Sequence, residues 1–328
     1  MKALVTGGGG FLGKAVIRQL IERGDEVISF SRGKYPDLEK MAVKHAQGDL
    51  ANEADVCAAM KDCDIIFHVA SKAEPWGKFE DYFQTNVMGT LNIINACKKM
   101  GVSRLVYTSS PCVVFNGKNL EGINESAPYG KDYGSLYQRT KTTAELMVLA
   151  ANSEKLATVA LRPHLIWGPN DNHLIPRLVK RARKRQLKIV GNGKNVIDHI
   201  FVDNAAKAHV QAADHLAPGS VVAGKAYFIS NEEPYPIKYI INRIMEVYDL
   251  PHVKIHVPVF LAYFGGWLFE NLYTKLNLKS EPLVTRFLAY ELSTNHWFDI
   301  SAARRDFGYK PEISMDKGLE LLRASILD

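Results

Sequence analysis

Cysteine is scarce in this chain, with four residues among 328, and their spacing contains no C-x-x-C pair and no metal-ligand pattern. A disulfide-stapled secreted domain and a cysteine-based metal site are therefore both disfavoured. We expect reduced, buried thiols in a cytoplasmic protein, and no bound metal. The four residues are Cys57, Cys63, Cys97 and Cys112.

Long apolar runs are also lacking. The longest run, Val257–Phe269, has thirteen residues and two glycines, which is too short to span a bilayer. A strand pattern begins at Met1, so no leader peptide is predicted. The net charge of +6 suits an anionic ligand but is too small to indicate nucleic acid as a partner.

A glycine-rich turn follows the first predicted strand, Lys2–Val5. Gly7, Gly10 and Gly13 have the G-x-x-G-x-x-G spacing, and the helical pattern Phe11–Arg23 follows at once. Glycine lets the backbone turn sharply and approach a pyrophosphate, which binds to free N–H groups at the helix N-terminus. A glycine cluster alone is often only a flexible turn. The order of strand, glycines and helix predicts dinucleotide binding.

The end of the second predicted strand, Glu26–Phe30, bears on the choice of cofactor. Ser31 and Arg32 follow that strand. An NAD site has a carboxylate there for the ribose 2′-hydroxyl, whereas an NADP site has a small residue and an arginine for the 2′-phosphate. Arg32 taken alone is an ordinary solvated loop residue, but the two residues together favour NADP(H).

Strands alternate with helices up to residue 162. This alternation predicts an α/β fold with a Rossmann-type, doubly wound parallel sheet. Ligands bind at the carboxyl ends of such strands, where the pair Asp49 and Leu50 would suit an adenine edge. The later predicted strands are His45–Leu50, Asp64–Ala70, Leu105–Thr108 and Thr158–Leu161, and the later helices are Phe79–Met100 and Leu136–Leu149.

Tyr137 and Lys141 lie four residues apart in the last of these helices, so both side chains occupy the same face. Among fourteen tyrosines, Tyr137 is the only one followed by lysine four residues later. A cation beside a phenol lowers the phenol pKa, which suits an acid working near neutral pH. The simpler interpretation is that Tyr137 and Lys141 are an ordinary exposed pair on the helix. Ser110, at the end of a strand, could equally have a capping role. With the cofactor loop, the three residues predict proton donation to a carbonyl undergoing reduction.

The regular alternation breaks down beyond residue 170. We predict a cofactor domain over 1–170 and a smaller, mostly helical substrate lobe over 171–328, with 196–217 returning to the first domain. Residues 174–188 carry seven Lys and Arg. We expect them to form a solvated helix face, and the alternative is a docking surface for an acidic partner or an anionic membrane. The aromatic residues of the predicted helical region 236–292 form core or line a channel for a long apolar substrate.

These motifs, with Arg162 and Pro163, together resemble the extended short-chain dehydrogenase/reductase superfamily over essentially the whole chain. Residues 107–110 and 297–309 look like its 3β-hydroxysteroid dehydrogenase branch. A narrower similarity is to the bacterial 2-alkyl-3-oxoalkanoate reductases of head-to-head olefin biosynthesis. That similarity is carried by residues 31–38, 68–77, 108–117, 161–169 and 226–230.

The resemblance implies NADPH-dependent reduction of a long-chain 2-alkyl-3-oxo acid to the 3-hydroxy acid. It implies a homodimer that works beside a β-lactone synthetase and a β-lactone decarboxylase. We expect the protein to be cytoplasmic, with peripheral attachment to a membrane as the alternative. Dimerisation would use the helices that carry Asn86 and Tyr137.

The same resemblance implies roles for individual residues. Ser110, Tyr137 and Lys141 match the catalytic residues, and Asn86 matches an asparagine that supports the site. Pro111 stands where relatives often have a small residue, which leaves open whether Ser109 or Ser110 faces the carbonyl. The implied cofactor contacts are Gly7, Gly10, Phe11, Leu12, Gly13, Ser31, Arg32, Asp49, Leu50, Ala70, Lys72, Tyr137, Lys141 and Pro163.

Other functions share this scaffold. A sterol-4-carboxylate 3-dehydrogenase also acts on an α-branched 3-hydroxy acid, although Ser31 and Arg32 favour reduction with NADPH. A 4,6-dehydratase would have an Asp-Glu pair where Ser109 and Ser110 follow Thr108. The apolar C-terminal lobe is a poor match for the sugar nucleotide of an epimerase. An NADPH-sensing regulator without turnover is a further alternative, and the complete Tyr/Lys pair disfavours it.

Overall fold

A seven-stranded parallel sheet is the largest feature of the computed structural model, which describes residues 1–41, 43–131, 134–278 and 280–327. The strands of this sheet and of three smaller ones are β1 (Lys2–Thr6), β2 (Glu26–Ser31), β3 (Lys44–Gln47), β4 (Ile65–His68), β5 (Arg104–Thr108), β6 (Leu120–Ile123), β7 (Ala157–Pro163), β8 (Ile166–Trp167), β9 (Ile189–Val190), β10 (Val196–Ile197), β11 (Ile200–Phe201), β12 (Lys225–Ile229), β13 (Tyr235–Pro236), β14 (His256–Val257) and β15 (His296–Phe298).

The order of strands in the large sheet is β12-β7-β5-β4-β1-β2-β3. The chain builds the sheet outward from β1 in one direction through β2 and β3, and then in the other direction from β4 onward. The reversal places a crevice between the carboxyl ends of β1 and β4, where doubly wound sheets bind ligands. All four residues of β4 are buried, as expected of a strand covered on both faces. The predicted Rossmann-type α/β fold is confirmed.

Helices cover both faces of the sheet and form most of the C-terminal part. They are α1 (Phe11–Glu22), α2 (Pro36–Lys40), α3 (Glu53–Ala59), α4 (Phe79–Tyr82), α5 (Gly89–Met100), α6 (Leu136–Ala150), α7 (Leu174–Arg183), α8 (Val202–His215), α9 (Ile237–Val247), α10 (Val259–Lys275), α11 (Arg286–Glu291), α12 (Ser301–Phe307) and α13 (Met315–Leu327). A π-helical turn, Phe83–Met88, joins α4 to α5. Helix α8 lies against α1, where Gln19 donates to the Asp203 carbonyl at 2.9 Å.

The region predicted as helical over 236–292 is divided into α9, α10 and α11, with β14 and loops between them. The aromatic residues of α10 do not form core, because Ala262 and Gly266 are its only buried residues. A Cβ added to Gly266 would lie 2.6 Å from the backbone of Arg286, so α10 packs closely on the start of α11 along its glycine side. None of the helices in the described ranges combines the length and apolar character needed to cross a membrane.

The first turn of α6 is fixed by two polar side chains. Ser135 caps the helix by accepting a hydrogen bond from the Gln138 N–H at 3.1 Å. Gln138 is fully buried, and its amide accepts from the Gly134 N–H at 2.9 Å and donates to the Phe115 carbonyl at 2.6 Å. These contacts set the position of Tyr137 between the cap and Gln138.

A buried ion pair joins α6 to β7. The Arg162 Nη2 atom lies 2.6 Å from Glu145 Oε1, and both residues are almost inaccessible to solvent. The Tyr129 hydroxyl donates to the same carboxylate at 2.7 Å, and Phe228 lies 5.0 Å from the guanidinium. Since α6 carries Tyr137, the pair fixes that helix relative to the sheet edge.

We predict that Glu145→Gln lowers the free energy of unfolding by about 3–5 kcal/mol, because Arg162 keeps a buried charge without its partner. Urea unfolding measures the loss. Glu154→Gln, at an exposed position just after α6, is the matched control and is expected to change stability by less than about 0.5 kcal/mol. Equal stability of the two variants would contradict the structural role of the pair.

Candidate active site

A cavity of about 560 Å³ lies at the carboxyl edge of the large sheet. It brings together fourteen of the sixteen residues proposed from the sequence, and Asn86 and Lys72 are the two outside its lining. The fourteen are Gly7, Gly10, Phe11, Leu12, Gly13, Ser31, Arg32, Asp49, Leu50, Ala70, Ser110, Tyr137, Lys141 and Pro163. Their individual roles remain predictions.

The glycine loop forms a cradle that side chains would fill. A Cβ on Gly7 would lie 2.8 Å from the Ala70 Cα, and Gly7 itself has φ +68°, which favours glycine. A Cβ on Gly13 would lie 2.3 Å from the Gly7 carbonyl oxygen. Helix α1 begins at Phe11, directly after this bare backbone. The residues therefore fit the pyrophosphate of a dinucleotide.

The end of β2 contributes Ser31 and Arg32 to the cavity lining. The Ser31 hydroxyl donates to the Gly33 carbonyl at 3.1 Å, and Gln47 donates to the Arg32 carbonyl at 3.0 Å. These bonds hold the backbone of the turn while the Arg32 side chain stays exposed. An exposed guanidinium beside the cavity fits a phosphate better than a bare hydroxyl.

Ser110, rather than Ser109, is the serine next to the Tyr137 phenol. Its side chain acts as a nearby hydrogen-bonding group that lowers the Tyr137 pKa, and it accepts from the Cys112 N–H at 3.3 Å, so it caps a short 3₁₀ helix as well. Ser109 also lines the cavity, but its buried hydroxyl has no hydrogen-bond partner in the described structure. The geometry favours Ser110 as the residue beside the reacting group.

The prediction that Lys141 lowers the pKa of Tyr137 is wrong. Burial raises the Tyr137 pKa, and the Ser110 hydrogen bond only partly offsets that rise. The Lys141 Nζ atom donates to the Thr108 carbonyl at 2.5 Å and lies 4.2 Å from the Tyr107 ring centre. Burial lowers the Lys141 pKa to about 7. The phenol therefore stays protonated at neutral pH.

Asn86 supports the site from outside the cavity. Its amide accepts from the Lys72 N–H at 2.7 Å and donates to the Lys72 carbonyl at 3.1 Å and the Thr140 hydroxyl at 3.0 Å. Thr140 precedes Lys141 in α6, so Asn86 ties this helix to the loop after β4. The Lys72 ammonium pairs with Glu74 at 3.2 Å. Asn86 lies in the π-helical turn, a feature frequent at functional sites.

Sequence reasoning missed His68, which is fully buried at the end of β4. Its Nε2 atom lies 3.0 Å from the Thr90 hydroxyl, which donates to the Asn86 carbonyl at 2.6 Å, so Nε2 must carry the proton. Its Nδ1 atom then accepts from the Thr6 hydroxyl at 2.8 Å, and Thr6 accepts from the Ala70 N–H at 3.1 Å. Burial, helped by the Lys141 charge, lowers the His68 pKa to about 3 and keeps the ring neutral.

Residues 4–259 match the profile of the 3-beta hydroxysteroid dehydrogenase/isomerase family. The chain belongs to that family. It is therefore an oxidoreductase that depends on a nicotinamide cofactor.

Named relatives match nearly the whole chain. A 2-alkyl-3-oxoalkanoate reductase from Stenotrophomonas maltophilia is 49% identical and covers 99% of each chain. A mouse sterol-4-alpha-carboxylate 3-dehydrogenase is 35% identical, over 97% of this chain and 89% of the relative. A UDP-glucuronic acid 4-epimerase from Bacillus cereus, solved with NAD, superposes with a TM-score of 0.77 at 22% identity, covering 100% of this chain and 99% of that one, and shows the shared fold.

The segment around the start of α7 adds further residues to the lining of the active-site cavity. His173 and Arg177 line the cavity beside Asp171, whose carboxylate accepts from the Ile175 N–H at 2.8 Å. Arg177 also pairs with Glu281 at 3.1 Å. The seven-cation segment is therefore not solvated throughout, since its first arginine faces the cavity. Nothing in its local pattern separates Arg177 from the cations that follow.

We predict that Lys141→Met has a higher free energy of unfolding than the natural protein, and that this difference is largest below pH 7. The Lys141 pKa is about 7 in the native state against 10.5 in a free side chain, so only the unfolded chain holds this proton between those values. Stability of the natural protein must then rise with pH across that interval, and the advantage of the variant must shrink. Urea unfolding at several pH values from 6 to 9 measures the difference.

The exposed Lys155→Met change is the control, and its difference from the natural protein should stay constant with pH. Parallel stability curves for Lys141→Met and the natural protein would contradict the lowered pKa.

Proposed function

We propose that this chain is an NADPH-dependent reductase that converts a long-chain 2-alkyl-3-oxoalkanoic acid to the 2-alkyl-3-hydroxyalkanoic acid. The observation that carries the proposal is the placement of Ser110, Tyr137 and Lys141 in one cavity with the glycine loop. The 49% identity to a 2-alkyl-3-oxoalkanoate reductase over 99% of both chains supports the substrate class.

The roles of the side chains follow from their positions. When bound, NADPH supplies the hydride that reduces the carbonyl carbon. Ser110 holds the 3-oxo oxygen of the substrate, and the Tyr137 phenol gives its proton to that oxygen, leaving a phenolate. A raised Tyr137 pKa keeps the proton in place before the reaction, which suits reduction. Lys141 supplies positive charge near the phenolate as it forms.

A second cavity, of about 840 Å³, lies between the start of α6 and the inner side of α10. Leu136, the neighbour of Tyr137, lines it together with Trp76 and Phe287. Arg139 also lies in the lining and offers a positive charge for a substrate carboxylate. We assign the alkyl chains of the substrate to this cavity, and this replaces core packing as the role of part of the aromatic lobe.

We also propose a cytoplasmic homodimer with a cofactor domain over 1–170 and a substrate lobe over 171–328. The four cysteines are free thiols, which supports a reducing compartment. Exposed Leu146 on α6 and Met100 on α5 support pairing through these two helices. A β-lactone synthetase and a β-lactone decarboxylase are the proposed partners, since they would handle the 3-hydroxy acid next.

Oxidation of a sterol-4-carboxylate is the second candidate, favoured by the 35% identity to the mouse dehydrogenase. Both substrates carry an acid group beside a 3-oxygen function, so the same three catalytic residues would serve either. A panel of synthetic 2-alkyl-3-oxo acids, their 3-hydroxy forms and a sterol-4-carboxylate, assayed with both cofactors in both directions, separates the two. Cofactor binding with no turnover of any substrate would instead support an NADPH-sensing protein.

We predict that Tyr137→Phe leaves NADPH affinity nearly unchanged and lowers turnover at least about a hundredfold, because only the proton donor is lost. Fluorescence titration measures binding, and NADPH oxidation with the best 2-alkyl-3-oxo acid measures turnover. Tyr239→Phe, at an exposed position on α9, is the control and should keep full activity. Full activity of Tyr137→Phe would refute the assignment.

We predict that Arg32→Ala weakens NADPH binding about 10- to 100-fold, the loss expected for one charged hydrogen-bonding partner of the 2′-phosphate. NADH lacks that phosphate, so its affinity should change little. Lys34→Ala, two residues further along the same exposed turn, controls for general loss of positive charge. Equal weakening of NADPH and NADH would place Arg32 away from the 2′-phosphate.

A further inference from the structure

The outward side of α10 carries a group of large apolar side chains in contact with solvent. Phe260 is 70% exposed, Phe264 is 59% exposed and Trp267 is 45% exposed. At 3.6 residues per turn, the group falls on one arc of about 140° of the helix circumference. The apolar face of α10 is defined by Phe260, Leu261, Phe264, Trp267, Leu268 and Leu272.

The one charged residue of the helix within this arc is Lys275, the last residue of α10. Glu270 lies on another side of α10 and is bound to Arg286 at 2.6 Å, and Asn271 turns its amide to the Trp267 carbonyl at 2.7 Å. Isolated apolar residues are normal on protein surfaces, but a contiguous apolar helix face marks a place where another apolar phase binds.

A cationic edge lies beside this face. Residues 180–188 contain the exposed side chains of Lys180, Arg183, Lys184, Arg185 and Lys188, with no acidic residue among them. The segment runs directly into β9, which pairs with β14, and β14 leads into α10.

A second contact joins the cationic segment to the region that follows α10. Arg177, near the start of α7, pairs with Glu281, which follows α10. With β9 paired to β14 at the other end, the cationic segment adjoins α10 near both ends of that helix.

We propose that this surface docks on an anionic lipid bilayer, with α10 lying in the plane of the interface. The solvent-facing side of α10 offers contiguous apolar side chains to the acyl region, and the Lys and Arg beside it complement acidic headgroups. A second copy of the chain would instead bring two cationic edges together. The proposal goes beyond the proposed function and does not depend on which substrate is reduced.

Docking would also place the substrate cavity near the lipid. Glu270 and Thr274, on the inner side of α10, line the 840 Å³ cavity whose wall includes Leu136 beside Tyr137. The helix therefore separates the bilayer from the cavity by its own width. A substrate with long alkyl chains, which partitions into membranes, would have a short path to Tyr137.

The test is flotation of the full-length protein with phosphatidylcholine vesicles that contain either no anionic lipid or 30% phosphatidylglycerol. We expect at least tenfold stronger binding to the anionic vesicles at 50 mM NaCl, and weaker binding at 500 mM NaCl. The double variant Phe264→Glu/Leu268→Glu should lower binding at least tenfold, as should Lys184→Glu/Arg185→Glu. All four positions are exposed, so both variants are expected to keep their melting temperatures.

Matched controls use exposed positions elsewhere: Val221→Glu for the apolar face, and Lys155→Glu/Lys310→Glu for the cationic edge. Both should bind like the natural protein. Quenching of Trp267 by brominated lipids, lost in Trp267→Phe, should locate α10 at the depth of the upper acyl chains.

Three outcomes would overturn the proposal. They are no binding to either vesicle, binding that the α10 variant leaves unchanged, and an oligomer in solution that only the α10 variant dissociates, which would make a second copy the occupant. Vesicle binding is measured without turnover, so a failure here is distinct from a failure of the reductase assignment.

Discussion

The ion pair between Arg162 and Glu145 is the constraint on which the site depends. It joins the helix that presents Tyr137 to the strand that ends at Pro163, and both partners are withdrawn from water. Two charges in such a place are costly unless each is neutralised by the other. Small displacements of α6 along the sheet would separate them, so one register of helix against strand is strongly preferred. The position of the Tyr137 phenol relative to the carboxyl edge of the large sheet is therefore fixed.

The parts of the molecule that could be predicted from sequence are those with local signals. The glycine loop needs a bare backbone where Gly7 meets Ala70, and the buried strands show as continuous apolar runs. The small sheet β13-β10-β15-β6 was missed because its strands are short and distant in sequence, as with Ile197 beside His296. Helical spacing predicts which face Lys141 shares but not where its long side chain ends.

The C-terminal lobe shows where composition misleads. Aromatic and leucine residues usually indicate core, yet in α10 the smallest residue, Gly266, makes the close contact and the largest, Trp267, faces outward. A helix that is apolar on nearly every side gives no amphipathic pattern from which to predict its buried face. The tight fit at Gly266 against Thr285 and Arg286 decides the orientation, and that fit involves residues about twenty positions apart.

The hydrogen-bond chain through His68 runs in one direction only, from the Ala70 amide through Thr6, His68 and Thr90 to the carbonyl of Asn86. Each hydroxyl accepts from one neighbour and donates to the next, so no member can be exchanged without leaving a buried donor or acceptor unmatched. In evolution these side chains should therefore change together or not at all. A redesign of cofactor preference at the nearby glycine loop should keep Thr6, His68 and Thr90 together or replace all three.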